Sequence, residues 1–272
     1  MIGAPSGAPI ASTGVRNTSR HCNNGSMERA RPVPITVTFS QQLTPRARRI
    51  TFTGMSLIGS TKPASYLSLF FAKPPTDWPP GRGADRPPKR SYTPRYIDAG
   101  CNTMTIDFVL HGAGRATDWA RTATAGDVIW AGATSGGYDI PDPLGHLVLV
   151  GDDTAIPAIG TVLEAVPAGT RTTVVIEVVD EDDERSPSET APSDPIWLHR
   201  GTDATDTGIQ SLNLIRSIAV PPDAHWWIAG EREAVRKIRD SLISERAVTR
   251  HHISLNAYWR LVPIDPRHRA GQ

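Results

Sequence analysis

The chain has 272 residues, 29 Lys and Arg against 28 Asp and Glu, and 39% hydrophobic residues. A net charge of +1 provides no global field for nucleic acid or an anionic membrane surface, and no apolar run approaches the roughly 20 residues that span a bilayer. Cys22 and Cys101 supply neither a disulfide framework nor a metal-ligand spacing, so composition predicts a soluble, cytoplasmic protein whose partners are small molecules.

Residues 1–26 are rich in Gly, Ser, Ala, Asn and Pro, lack acidic side chains and contain no apolar stretch of the secretory kind. Residues 1–31 therefore read as a disordered N-terminal extension, and Met27, opening MERARPVPITVTF, reads as a natural start.

Short, β-branched, alternating segments follow: ITVTF (35–39), RRITFTG (48–54), YLSLFFA (66–72), RSYTPRYI (90–97), TMTIDFVLH (103–111) and DVIWAG (127–132). Pro-Gly clusters such as PPTDWPPGRGADRPPK (74–89) separate them, which predicts an antiparallel β-barrel over residues 32–143, with the 74–89 loop long enough to be functional or mobile.

Within that barrel, Arg90-Ser91-Tyr92-Thr93-Pro94-Arg95 places a guanidinium, an aromatic and a hydroxyl on consecutive strand positions. Strand alternation sends Arg90 and Tyr92 to one side and Ser91 and Thr93 to the other. Such a set suits a flavin: Arg forks onto a diphosphate, Tyr covers a ring face, and Thr or a backbone N–H reaches the polar edge. The plainer reading is ordinary strand composition. One strand later, His111-Gly112-Ala113-Gly114-Arg115-Ala116-Thr117-Asp118-Trp119 leaves a strand, passes two glycines and enters a short helix with Thr117 or Asp118 as its cap. Free N–H groups there favour phosphate; the alternative is a Gly-rich turn and nothing more.

Beyond Pro143 the period changes to apolar strands followed by helices: HLVLV (146–150) and a helix from about Ala155 to Val166; TVVIEVVD (173–180); IWLHR (196–200) and a helix near 209–218; HWWIAG (225–230) and EREAVRKIRDSLISE (231–245); then ISLNAYWRL (253–261). Strands this continuously apolar predict a mostly parallel sheet covered on both faces, an NAD(P)-binding-like α/β domain over residues 144–265 with a tail at 266–272. Gly151-Asp152-Asp153-Thr154-Ala155-Ile156-Pro157 opens a helix at the carboxyl end of a strand, where ligands of open α/β sheets bind. The loop lacks G-x-G-x-x-G and its two Asp residues oppose a diphosphate, so either a nicotinamide half approaches Thr154 or Thr154 is an N-cap. Gly230-Glu231 starts a helix whose Val235, Ile238 and Leu242 form the buried stripe, with Arg236 and Arg239 as solvated charges or phosphate contacts. The acidic run Asp180–Glu184 reads as a solvated turn, and the scattered His residues show no metal-ligand spacing.

With these pieces in order, the chain resembles the siderophore-interacting protein family, flavin-dependent ferric-siderophore reductases related to ferredoxin–NADP reductases. The resemblance runs from about residue 34 to 262 and is carried by RITFTG (49–54), RSYTPR (90–95), IDFVLHGAG (106–114), DWA (118–120), AGDVIWAG (125–132), GDDTAIPAI (151–159), IEVVDEDDE (176–184), WIAGEREAVRKIR (227–239) and YWR (258–260). It implies FAD on the barrel, held by Arg90, Ser91, Tyr92, Thr93, Phe108, Val109, His111, Gly114, Thr117 and Trp119. It also implies NADPH or NADH as donor, at Asp153, Thr154, Gly230 and Glu231, and a ferric siderophore or other ferric chelate as acceptor. The chain departs from the family at Arg115, where Pro is usual, at Ala133-Thr134, which replaces Gly-Pro, and at Ala257, where Gly is common. Ser68 stands where many members have a Lys that is thought to help hold an anionic catecholate, which leaves Arg260, with Arg82, Arg86 or Arg95, as basic partners of the chelate. The expected reaction carries electrons from NAD(P)H through FAD to Fe(III), releasing Fe(II) with no side chain as acid or base. The alternatives are a flavoenzyme of the same fold with another acceptor or ferredoxin as donor, and a non-catalytic siderophore-binding protein.

Overall fold

A computed structural model describes residues 31–54, 59–71, 89–112 and 114–261. The N-terminal extension before Arg31, and Arg82 and Arg86 within the 74–89 loop, lie outside the described residues.

Strands β1 (Val33–Thr44), β2 (Ala47–Thr53), β3 (Leu67–Phe70), β4 (Lys89–Tyr92), β5 (Pro94–Asp98), β6 (Thr103–Val109) and β7 (Val128–Ala131) form one antiparallel sheet in the order β4-β3-β7-β1-β2-β6-β5. The expected strand over 90–97 is two strands. Pro94 has no N–H for a ladder and keeps the residue before it from the helical region, so the chain changes partner at Thr93, leaving β3 for β6. Because β4 and β5 are the two sheet edges and are joined through Thr93 alone, the sheet must curl until its edges meet. The inward-facing residues alternate along each strand, as in Ile35 and Val37, Ile50 and Phe52, or Met104, Ile106 and Phe108, and pack into one apolar core.

The second sheet is parallel throughout, in the order β10-β9-β8-β11-β12, built from β8 (His146–Asp152), β9 (Arg171–Val178), β10 (Ile196–His199), β11 (His225–Glu231) and β12 (Ile253–Trp259). Leu147, Leu149, Trp227 and Ala229 face α2 (Ile156–Ala165), whereas Val148, Val150, Trp226 and Ile228 face α3 (Ile209–Ser217) and α4 (Arg232–Ser244). Both faces are covered, which is why HLVLV and HWWIAG read as unbroken apolar runs. Val235, Ile238 and Leu242 are the buried stripe of α4, as expected.

Two ion-pair clusters join the sheets. The acidic run is a solvated turn at Glu181, Asp182 and Glu184 but not at Asp183, which is 1% exposed and accepts from Thr44 Oγ1 at 2.9 Å and from the Arg46 guanidinium at 2.7 Å, while Asp180 pairs with the same guanidinium. The run thus clasps the turn between β1 and β2. Arg95, expected at the chelate, is 3% exposed and binds Glu164 of α2 through two hydrogen bonds of 2.6 and 3.1 Å. Gly160 makes room for it: a Cβ there would stand 3.0 Å from Arg95 Nε and 2.1 Å from the Pro187 carbonyl oxygen. A chelate has no access to this guanidinium.

At the amino edge of the parallel sheet, the rings of His225 and His252 lie 4.3 Å apart, and His146 is buried with Nε2 on Thr173 Oγ1 at 2.9 Å. Burial lowers the pKa of His146, helped by Arg171, and of His225, helped by His252, with Asp223 opposing both. Folded pKa values below the usual 6.5 mean that the unfolded chain binds more protons, so this stability is complete above pH 6.5 and is lost as pH falls below it. The urea midpoint is expected to drop between pH 7.5 and 5.5, and by less in His225→Asn; an equal drop in that variant would remove His225 from the account.

Candidate functional site

The seam where the barrel sheet closes carries the flavin-type residues. Arg90 and Ser91 are exposed on β4, and the Arg90 guanidinium bonds only the neighbouring Lys89 carbonyl among the described residues. Tyr92 is half-buried: its ring lies 4.5 Å from Phe108 and 6.1 Å from Phe71, and burial pushes its hydroxyl pKa well up. Trp119 stacks on Phe52 at 6.1 Å and meets Phe71 edge-on at 5.6 Å. These rings make an aromatic floor beneath the seam. Phe108, 1% exposed, belongs to that floor and the core, so its side chain is closed to a ligand, whereas Val109 is half-buried.

Helix α1 (Arg115–Thr122) begins earlier than the sequence suggests. Gly114 is its N-cap, no side chain caps it, and Thr117, buried, donates instead to the His111 carbonyl at 3.2 Å. A side-chain cap needs a side chain at the N-cap, and a glycine has none to offer. The first N–H groups of α1 are thereby left open, and Arg115 and Ala116 of that turn line a cleft of about 170 Å³ together with Arg90 and Phe71. Added Cβ atoms at Gly112 and Gly114 would meet nothing, so this loop is shaped for its backbone rather than for internal packing. Two arginines, each without a carboxylate partner among the described residues, converge with an uncapped helix N-terminus. That donor set fits a diphosphate, and the aromatic floor beside it fits a flat ring system.

The last strand closes over this face. Trp259 lies 5.4 Å from the His111 ring, and the Tyr258 hydroxyl lies against the Thr93 hydroxyl. Arg260 follows Trp259 and is exposed, so of the described arginines expected at the chelate it is accessible while Arg95 is not. Burial lowers the His111 pKa and Arg200 adds to this, with Asp153 opposing. The barrel's glycine loop therefore faces the carboxyl edge of the parallel sheet.

At that edge every expected donor contact already has an internal partner. Asp153, 4% exposed, pairs with the buried Arg200 at 2.7 Å. Thr154 is not the N-cap: Asp152 caps the turn before α2, accepting from Thr154 N at 2.9 Å and from its hydroxyl at 2.5 Å. Asp152 Oδ2 also accepts from Glu231 N at 2.9 Å and Trp259 Nε1 at 2.8 Å, which knots the ends of β8, β11 and β12 together. Its pKa is pushed up to about 6 by burial and by Asp153, against hydrogen bonds from Thr154 and Trp259. Gly230 is obligatory here, because at φ +146 an added Cβ would stand 2.5 Å from Asp152 Oδ2. Glu231, 5% exposed, caps α4 by accepting from Glu233 N and Ala234 N at 2.6 and 2.8 Å, and holds Leu261 N at 3.0 Å. Asp152, Arg115 and Phe71 lie outside the site residues that the sequence points to.

Comparison with known proteins agrees with this layout. Residues 36–136 match the model of the siderophore-interacting FAD-binding domain, and residues 144–262 match that of the siderophore-interacting protein. A Mycobacterium tuberculosis protein of uncharacterized role is 36% identical over 65% of this chain, and the match spans 66% of that relative's length. The ferric vibriobactin reductase ViuB of Vibrio cholerae is 29% identical over 78% of this chain and 83% of its own. The siderophore-interacting protein SipS from Aeromonas hydrophila superposes with a TM-score of 0.72, at 26% identity over 88% of this chain and 96% of that one.

Proposed function

Because the chain belongs to the siderophore-interacting protein family, we propose that it is an FAD-dependent ferric-siderophore reductase drawing electrons from NADPH or NADH. The observation that carries the reading is the convergence of Arg90 and Arg115 at the uncapped N-terminus of α1, beside the aromatic floor of Phe71, Tyr92 and Trp119. FAD, when bound, supplies the means of turning a two-electron nicotinamide donation into the single electrons that Fe(III) accepts.

The residues divide the remaining tasks. Arg90, Arg115 and the open N–H groups of α1 bind the diphosphate, and Gly114 keeps that approach clear of side chains. Thr93, held against Tyr258, presents a hydroxyl at the seam, and Ser91 and Val109 border it. Trp119 and Thr117 fix α1 against the barrel, Trp119 through the rings and Thr117 through the His111 carbonyl. Trp259 against His111 brings the last strand over the loop, and Arg260 at its end offers an exposed cation to an anionic chelate. No group need act as acid or base.

The test is anaerobic production of Fe(II), trapped by a coloured ferrous chelator, from protein given FAD, NADPH or NADH, and a ferric catecholate or hydroxamate. FAD-dependent Fe(II) above the protein-free rate is expected. Flavin that is bound and reduced without Fe(II) would move the protein to another acceptor.

A further inference from the structure

We propose that this chain reads its electron donor through the nicotinamide half alone, so that NADPH, NADH and reduced nicotinamide mononucleotide serve it alike. The inference rests on the reductase reading above and concerns the donor site of that reaction.

A dinucleotide on an open parallel sheet is ordinarily held at the carboxyl edge, its diphosphate on the free N–H groups of a helix N-terminus. Among the described residues three helices begin at that edge; buried carboxylates of the chain hold the N-termini of α3 and α4, and a third holds the turn before α2, whose own N-cap, Ala155, makes no side-chain bond. Asp152 accepts from Thr154 N in the turn leading to α2. Glu177, 1% exposed, accepts from Gly208 N at 2.7 Å and from Ser211 Oγ at 3.4 Å where α3 begins. Glu231 accepts from Glu233 N and Ala234 N in the first turn of α4. Two of the three have further obligations, Asp152 to Glu231 N and Trp259 Nε1 and Glu231 to Leu261 N, so a phosphate cannot displace them without loosening three strand ends.

Space and charge give independent support. The cavity among Asp152, Glu177, Gly208, Gly230 and Glu231 is about 20 Å³, room for one water. Asp153 is also buried there, paired with Arg200 at 2.7 Å, while a second guanidinium, Arg185, donates to the Asp153 carbonyl at 3.3 Å. Arg232, at the start of α4, is exposed, and an ion pair with a phosphate there contributes little. The transfer itself needs none of this. The dihydronicotinamide gives up a hydride and becomes the nicotinamide cation; the hydride and one solvent proton reduce the oxidised flavin.

The experiment is anaerobic stopped-flow bleaching of the FAD-loaded full chain by NADPH, NADH and reduced nicotinamide mononucleotide, with dithionite as a control for a reducible flavin. Second-order rate constants within tenfold of one another are expected. An advantage above tenfold for either dinucleotide overturns the inference. If dithionite bleaches and no nicotinamide does, the nicotinamide donor of the proposed function falls, and this inference with it.

Discussion

Replacing Arg90 by Ala is expected to weaken FAD binding by about 1.5–3 kcal/mol, a roughly 10- to 150-fold rise in Kd, while leaving thermal stability unchanged. The two effects separate because of where the side chain stands. Its guanidinium is exposed and bonds only the neighbouring Lys89 carbonyl among the described residues, so the folded apoprotein loses almost nothing when it is removed. A diphosphate held as proposed would lose a charge-assisted pair at the cleft that Arg90 shares with Arg115 and the first turn of α1. Arg90→Lys keeps the charge but not the planar fork and should fall between the two. Fluorescence titration of FAD into the apoprotein, set beside its melting curve, decides it. An unchanged Kd would take Arg90 off the diphosphate, and a lowered Tm with unchanged Kd would make it a structural residue.

What could be read in the sequence were the parts that rest on local pattern. ITVTF and RRITFTG alternate because one face of the curled sheet is core, and HWWIAG does not alternate because helices cover both of its faces. Arg90, Tyr92 and Thr93 were legible as a group because strand period and spacing suffice to place them together, although Pro94 cut their strand in two. What could not be read were roles fixed by partners distant along the chain. Arg95 looks like Arg90 in sequence, yet its partner Glu164 lies 69 residues away, and the burial that unites them depends on Gly160. Asp183 looked solvated because Arg46, 137 residues earlier, is invisible from its neighbourhood. Glu231 and Asp153 looked available to a donor for the same reason: a carboxylate's vacancy depends on the N–H groups and cations that the fold brings to it.

The second large effect is expected at Glu164, where Ala should destabilise the fold by about 3–5 kcal/mol, on the order of 10 °C in Tm. The asymmetry of the pair sets the magnitude. Arg95 keeps 2% of its side chain exposed and Glu164 keeps 27%, so removing the carboxylate strands a guanidinium that cannot reach water, with the Tyr96 ring at 4.2 Å as its remaining partner among the described residues. Ser188 Oγ, which donates to Glu164 at 2.7 Å, loses its acceptor as well. Burial alone would raise the Glu164 pKa, but the bonds from Arg95, Ser188 and Thr190 outweigh it and hold the carboxyl below its usual value. Arg95→Met should cost less, because the carboxylate left behind is partly hydrated and the thioether stem fills the passage over Gly160. Calorimetry of the two variants should therefore rank Glu164→Ala as the more damaging. Equal melting temperatures would mean that burial of the charge is not what the pair manages. A raised KM for the ferric chelate in Arg95→Met, at unchanged Tm, would return Arg95 to the substrate; the buried bidentate geometry predicts the opposite, a lower Tm with the chelate KM intact.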